Sequence, residues 1–280
     1  LGVSDLFASS PEFIRLVRGD EHVDLARVSL ELARDRYPHL AFAPYEARLD
    51  AWAERVRGRC VDGVGARHLL LQINRVLFEE EHLRGNSDDY YDPRNSYLNQ
   101  VIDRGLGIPI SLSVVYMAVA ARVGLEMAGV NLPGHFVIRV GLGQSTIFVD
   151  PFHQGALLDR AGCEGRVREV TGQDVSPLDV QLAPCAASVL VVRMLRNLKA
   201  AYLQRSEYEH SLAVMRRLVL LTRGEVLERR DLGVACMSAN QVGEAIDHLG
   251  AYLSAHPTAP DASDVSALLR EARHRIAALN

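Results

Sequence analysis

From residue 24 to 37, DLARVSLELARDRY repeats apolar side chains three to four positions apart, which predicts an amphipathic helix ended by Pro38. The same spacing predicts a helix near 46–57, with Trp52 packed inward, and another over 66–80, where ARHLLLQINRVLFEE is apolar on a broad face. In GIPISLSVVYMAVAARVG, Pro109 marks a helix start, and the Val- and Ala-rich run predicts a buried helix over 108–123. The period then changes. HFVIRVG (135–141) and TIFVD (146–150) alternate in twos around a turn supplied by LGQS, so a β-hairpin is expected. Beyond Pro184 the pattern is helical to the end.

That last region repeats itself. At an offset of 34 residues, Leu198, Tyr202, Ser211, Met215 and Arg223 fall opposite Leu232, Cys236, Ala245, Leu249 and Pro257. The second copy, LGVACMSANQVGEAIDHLGAYLSAHP, resembles a tetratricopeptide repeat, with Leu232-Gly233, Ala245 and Pro257 at its key positions. Small residues there let two antiparallel helices approach, and Pro closes the unit. The first copy carries Lys199 where Gly is usual. The reading is an α+β protein. A helical N-terminal region sits on a small antiparallel sheet (1–184), and tetratricopeptide-like helices follow (185–280).

Composition narrows the partners. With 31 basic and 35 acidic residues the net charge is −4, and no basic stripe suits nucleic acid. No apolar run approaches the roughly 20 residues that span a bilayer, so no membrane partner is expected. The start lacks a basic segment followed by a long apolar one, which favours a cytoplasmic location. The cysteines, Cys60, Cys163, Cys185 and Cys236, lie far apart without a C-x-x-C pair, so free thiols are expected and a structural zinc is not.

Several polar features have ordinary explanations. Asp88, Asp89 and Asp92 lack the oxygen ladder of a calcium loop and read as caps and turns. Asn95 and Asn99, one turn apart, are expected to pin the helix that follows. Arg139 is expected to face away from the core. Gly141 and Gly143 belong to a turn, because no phosphate-loop sequence follows.

One constellation carries chemistry. Covalent acyl transfer needs a nucleophile at a helix N-terminus, a histidine within reach, and a group that orients it. The helix start at Pro109, His135 opening one strand and Asp150 ending its neighbour supply that order, and hairpin pairing makes His135 and Asp150 lateral neighbours. His153 adds a third metal-type ligand to the pair, although no zincin motif is present.

The helix–strand–strand order, with His135-Phe136-Val137 and Asp150-Pro151-Phe152, resembles the papain-like transglutaminase core. NRVLFEE, GNSDDYYDPRNSYLNQVI, GIPISLSVVY, LPGHFVIRV and FVDPF are more closely similar to the SirB1 family, which joins such a core to tetratricopeptide-like helices. The resemblance implies a nucleophilic Cys at the helix start, and this chain has none there. The slot falls within Pro109–Ser113, with Ser111 the nearest hydroxyl and Ser113 second. A serine stays protonated and needs His135 as a full general base; a helix terminus worth about 0.3–1 kcal/mol does not substitute for a thiolate.

Two functions follow. The first is a non-catalytic interaction protein that holds a protein or peptide partner on a degenerate core and on its repeats, with no cofactor or metal. The alternative is a serine-type amidase, peptidase or acyltransferase in which Ser111 attacks, His135 moves the proton and Asp150 orients the imidazole. The second requires the Ser111 hydroxyl within about 3.2 Å of a His135 nitrogen.

Overall fold

The computed structural model describes residues 7, 9–61, 63–141, 146–173 and 182–278. The LGQS turn lies outside them. Two compact units divide the chain between Met194 and Leu195, Phe7 belonging to the second.

In the first unit, helices α1 (Pro11–Val17), α2 (Leu25–Ala33), α3 (Ala43–Arg57) and α4 (Ala66–Asn74) form one after another. Asp24 caps α2, accepting from the N–H groups of Ala26 and Arg27. The fully buried Glu31 accepts from the N–H groups of Glu12 and Phe13 at 3.1 and 2.8 Å, and so caps α1 from a neighbouring helix. Trp52 is buried as expected. The helix predicted over 66–80 is α-helical only to Asn74; Arg75–Glu80 continue as a π-helix, an uncommon form that leans on local packing.

A short parallel pair, β1 (Arg84–Gly85) and β2 (Leu106–Gly107), flanks α5 (Leu98–Arg104). Asp92 caps the 3-10 turn Pro93–Asn95 and binds Arg94 and Arg104, the capping role its sequence context suggests. Asn95 donates to the carbonyls of Asp89 and Tyr90 and accepts from Asn86, which ties the polar loop to the start of α5.

Helix α6 (Pro109–Arg122) precedes a four-stranded antiparallel sheet in the order β3 (Ala128–Leu132), β4 (His135–Val140), β5 (Ile147–Asp150) and β6 (Ala156–Leu158). Pro133 and Gly134 close the β3–β4 hairpin, with Leu132 opposite His135. Gly134 has φ +68°, the left-handed value that suits Gly in such a turn. Register fixes the faces. Leu132 pairs with His135, Val130 with Val137 and Arg139 with Phe148, so these residues share one face. Helix α7 (Arg160–Thr171) adds Cys163 and Val167 to the same apolar cluster as Val130, Leu132, Val137 and Phe148. Arg139 therefore does not face away from the core: it lies half-buried on the Val137 face and reaches the Leu182 carbonyl.

Helix α8 (Ala187–Gln204) runs through the division between the units. In the second unit, α9 (Tyr208–Leu221), α10 (Val226–Ser238), α11 (Val242–Ala255) and α12 (Ala262–Ala277) follow in succession. The 34-residue offset is a burial pattern: Leu198/Leu232, Tyr202/Cys236, Ser211/Ala245 and Met215/Leu249 are all buried. A Cβ on Gly233 would stand 2.7 Å from Leu249 Cδ2, so Gly there sets the close approach of α10 and α11. Lys199, in place of Gly in the first copy, sits 2.6 Å from Glu228 and 2.5 Å from Asp231.

Candidate functional site

Strand register brings His135 and Asp150 together. Ile138 faces Val149, so one further step puts Asp150 opposite Val137, on the face of His135 and diagonal to it. His135 Nε2 lies 3.0 Å from Asp150 Oδ2, and both side chains are buried. Asp150 also caps the 3-10 turn Pro151–His153 through the His153 N–H, which aims His153 back at it, Nδ1 standing 2.7 Å from Oδ2. From α7, Arg166 brings Nε to 3.0 Å from the same oxygen. Three nitrogen groups thus converge on one carboxylate oxygen.

Burial pushes the Asp150 carboxyl upward, but the charge and hydrogen bonding of His135 and His153 outweigh it and hold the group below its ordinary range. His135 acts on it through a close, poorly aligned contact as well as through charge. Nε2 is close to Oδ2 yet makes no aligned hydrogen bond, and Arg166 Nε is in the same position.

The hydroxyl meant for the nucleophile slot is engaged elsewhere. Ser111 Oγ accepts the Ile108 N–H at 3.1 Å and donates to the Asn95 carbonyl at 2.5 Å, closing the first turn of α6 onto the polar loop. Ser113 Oγ donates to the Pro109 carbonyl at 2.7 Å. Pro109 fills the first helical position, where its missing N–H costs nothing. Among the described residues, no hydrogen bond joins Ser111 to His135. We expect Ser111→Ala to lose about 1–3 kcal/mol in urea unfolding, because it strands a buried N–H and a buried carbonyl. A loss below about 0.5 kcal/mol would show that these bonds are not holding the loop.

Two residues near the pair, Arg166 and Cys163, carry no site signal in the sequence. Arg166 lies on α7, where Gly162 and Gly165 interrupt any apolar period; only Asp159, the helix cap, signals a start. Cys163, one turn before Arg166, is close enough to feel the Asp150 charge. It is fully buried, and desolvation first, then that charge, pushes its thiol up to about 12. A catalytic thiol needs the opposite shift. Cys236 is likewise buried and pushed up to about 12. Iodoacetamide at pH 8 should therefore modify the half-buried Cys60 in the native chain, leaving Cys163 and Cys236 protected until denaturant is added. Mass-spectrometric mapping reads this directly, and rapid native labelling of Cys163 would refute the assignment.

Aromatic rings frame the pair. Phe152 lies 6.2 Å from His135 and 6.3 Å from Tyr90, and Tyr90 and Tyr91 are exposed beside it. Below the 3-10 turn, Asn74 links Tyr116 to the Gly155 carbonyl, so the residues after Asp150 are tied to α4.

A helix followed by antiparallel strands that present a buried histidine and its carboxylate defines a papain-type, transglutaminase-like core. The family comparison agrees with that class over more than half the sequence. The chain belongs to the transglutaminase-like superfamily, whose model matches residues 43–196, and a tetratricopeptide repeat model matches 198–270. A UPF0162 protein of Xylella fastidiosa (strain 9a5c) is 36% identical over 244 residues, covering 85% of this chain and 86% of its own. A UPF0162 protein of Vibrio cholerae is 24% identical over 167 residues, covering 57% and 59%. Human F-box only protein 21 is 31% identical over 153 residues, which is 52% of this chain but 23% of that protein.

Proposed function

We propose that the chain is a non-catalytic protein- or peptide-interaction protein of the SirB1 type, built on a transglutaminase-like core that keeps the histidine–carboxylate pair without a working nucleophile. One observation carries this reading: the Ser111 hydroxyl donates to the Asn95 carbonyl and is not directed at His135. The Cys163 thiol supports it, since burial and the Asp150 charge push this core cysteine's pKa up to about 12. The tetratricopeptide-like unit supports interaction as the activity, because stacked helix pairs present extended surfaces to partners. In this reading the core site holds a ligand against the Tyr90, Phe152 and His153 side chains. The repeats supply a second surface.

The alternative, a serine-type amidase, peptidase or acyltransferase using Ser111, His135 and Asp150, makes a separate prediction. A fluorophosphonate probe would label Ser111, and His135→Ala would abolish the label. We expect no label at Ser111 in the full chain under conditions that label a serine hydrolase control. Stoichiometric, His135-dependent labelling would replace the interaction reading with the enzymatic one.

A further inference from the structure

We propose that His135, Asp150 and His153 form a binding site for a divalent transition-metal ion of the zinc type. The three side chains each offer one ligand atom, and those atoms lie within 4.8 Å of one another. A tetrahedral zinc site with bonds of about 2.0–2.1 Å separates its ligands by roughly 3.3 Å. The two separations at Asp150 Oδ2, 2.7 and 3.0 Å, would open by about 0.3–0.6 Å to reach it, and all three ligand atoms stay within 4.8 Å of one another.

A second observation points independently to a ligand. His135 Nε2 is buried and stands 3.0 Å from a carboxylate oxygen without the alignment of a hydrogen bond. Buried polar atoms are almost always satisfied, and a cation between the ring nitrogen and the carboxylate would satisfy both. Arg166 Nε shows the same close, misaligned approach to Asp150 Oδ2. Its guanidinium supplies positive charge to Asp150 where an ion would otherwise supply it.

The donor set selects the metal. Two imidazoles and one carboxylate suit zinc, cobalt or ferrous iron, whereas calcium and magnesium call for oxygen ligands throughout. His135 is fixed on a strand and His153 on a turn capped by Asp150 itself, so two of the three ligands are held in place before any ion arrives. His153 is 35% exposed, which gives an ion a route in from solvent. This inference does not rest on the interaction reading. Metal binding and serine labelling are separate measurements, and either can fail alone.

The test uses the full chain, stripped with chelator and dialysed against zinc. We expect one zinc per chain retained through gel filtration. Cobalt in its place should give visible d–d absorption without a thiolate charge-transfer band. His135→Ala and Asp150→Ala risk unfolding the core, so the half-exposed His153 gives the decisive variant. His153→Asn should keep the native circular dichroism, weaken zinc affinity at least about tenfold and remove the cobalt spectrum. No retained zinc, equal affinity in His153→Asn, or a thiolate band pointing to the cysteines would each overturn the proposal.

Discussion

Asp150→Ala should lower unfolding stability by about 3 kcal/mol near neutral pH, one of the two largest losses expected from a single change in the core. The carboxylate is fully buried and stands within 3.0 Å of nitrogens from His135, His153 and Arg166. Removing one partner of a buried ion pair costs about 3–5 kcal/mol, because the groups left behind stay desolvated and uncompensated. The low end applies, since Arg166 and His153 are 23% and 35% exposed and can turn towards water. Asp150→Asn keeps the shape and isolates the charge. Because Asp150 titrates below its ordinary value, the stability it contributes is complete above about pH 4, the unfolded carboxyl's range, and disappears as pH falls through the lower folded value. The gap between wild type and Asp150→Asn in urea unfolding should thus be wide at pH 6–8 and narrow below about pH 4. A gap that stays constant down to pH 2 would mean that Asp150 acts by packing and not by charge.

How far the sequence exposed this site follows from which signals are local. His135 and Asp150 were legible because a period of two fixes which face each strand residue takes, and both stand at strand ends beside Pro or Gly. The repeats were legible because a fixed offset copies the burial pattern: Leu198 and Leu232 each sit in a helix face that must be covered. Ser111 shows the limit. A hydroxyl at the third helical position has two backbone groups within reach before it meets any histidine, and only the loop bearing Asn95 decides which it takes. Arg166 was invisible for a different reason. Its helix is weakly apolar and carries Gly162 and Gly165, so only tertiary contact with the sheet makes it a helix and points its guanidinium at Asp150. Strands β3 and β6, at 5 and 3 residues, are likewise too short to announce a period. The NRVLFEE motif appears as an ordinary apolar helix in sequence. Its first residue instead anchors the turn beyond Asp150, and its remainder forms the π-helix.

That anchor sets the second large effect. Gly155→Ala should cost about 2–5 kcal/mol, although it adds only one methyl group. Gly155 has φ +72°, where an L side chain costs roughly 1–2 kcal/mol. A Cβ there would also stand 2.1 Å from Asn74 Oδ1, so the amide must move. Moving it gives up the 2.8 Å bond to the Gly155 carbonyl and the 2.9 Å bond from the Tyr116 hydroxyl. Tyr116 is fully buried, and leaving its hydroxyl without that acceptor adds about 1–3 kcal/mol, softened by the Leu70 carbonyl at 3.3 Å. A double-mutant cycle separates the two causes. If backbone strain were the whole cost, Gly155→Ala would lose the same amount in an Asn74→Ala background. If displacement of Asn74 dominates, the second loss falls to the 1–2 kcal/mol of strain alone, a coupling of at least about 1 kcal/mol. Zero coupling would remove Asn74 as the tie that holds the Asp150–His153 turn in place, and with it the reason for Gly at this position beyond its φ.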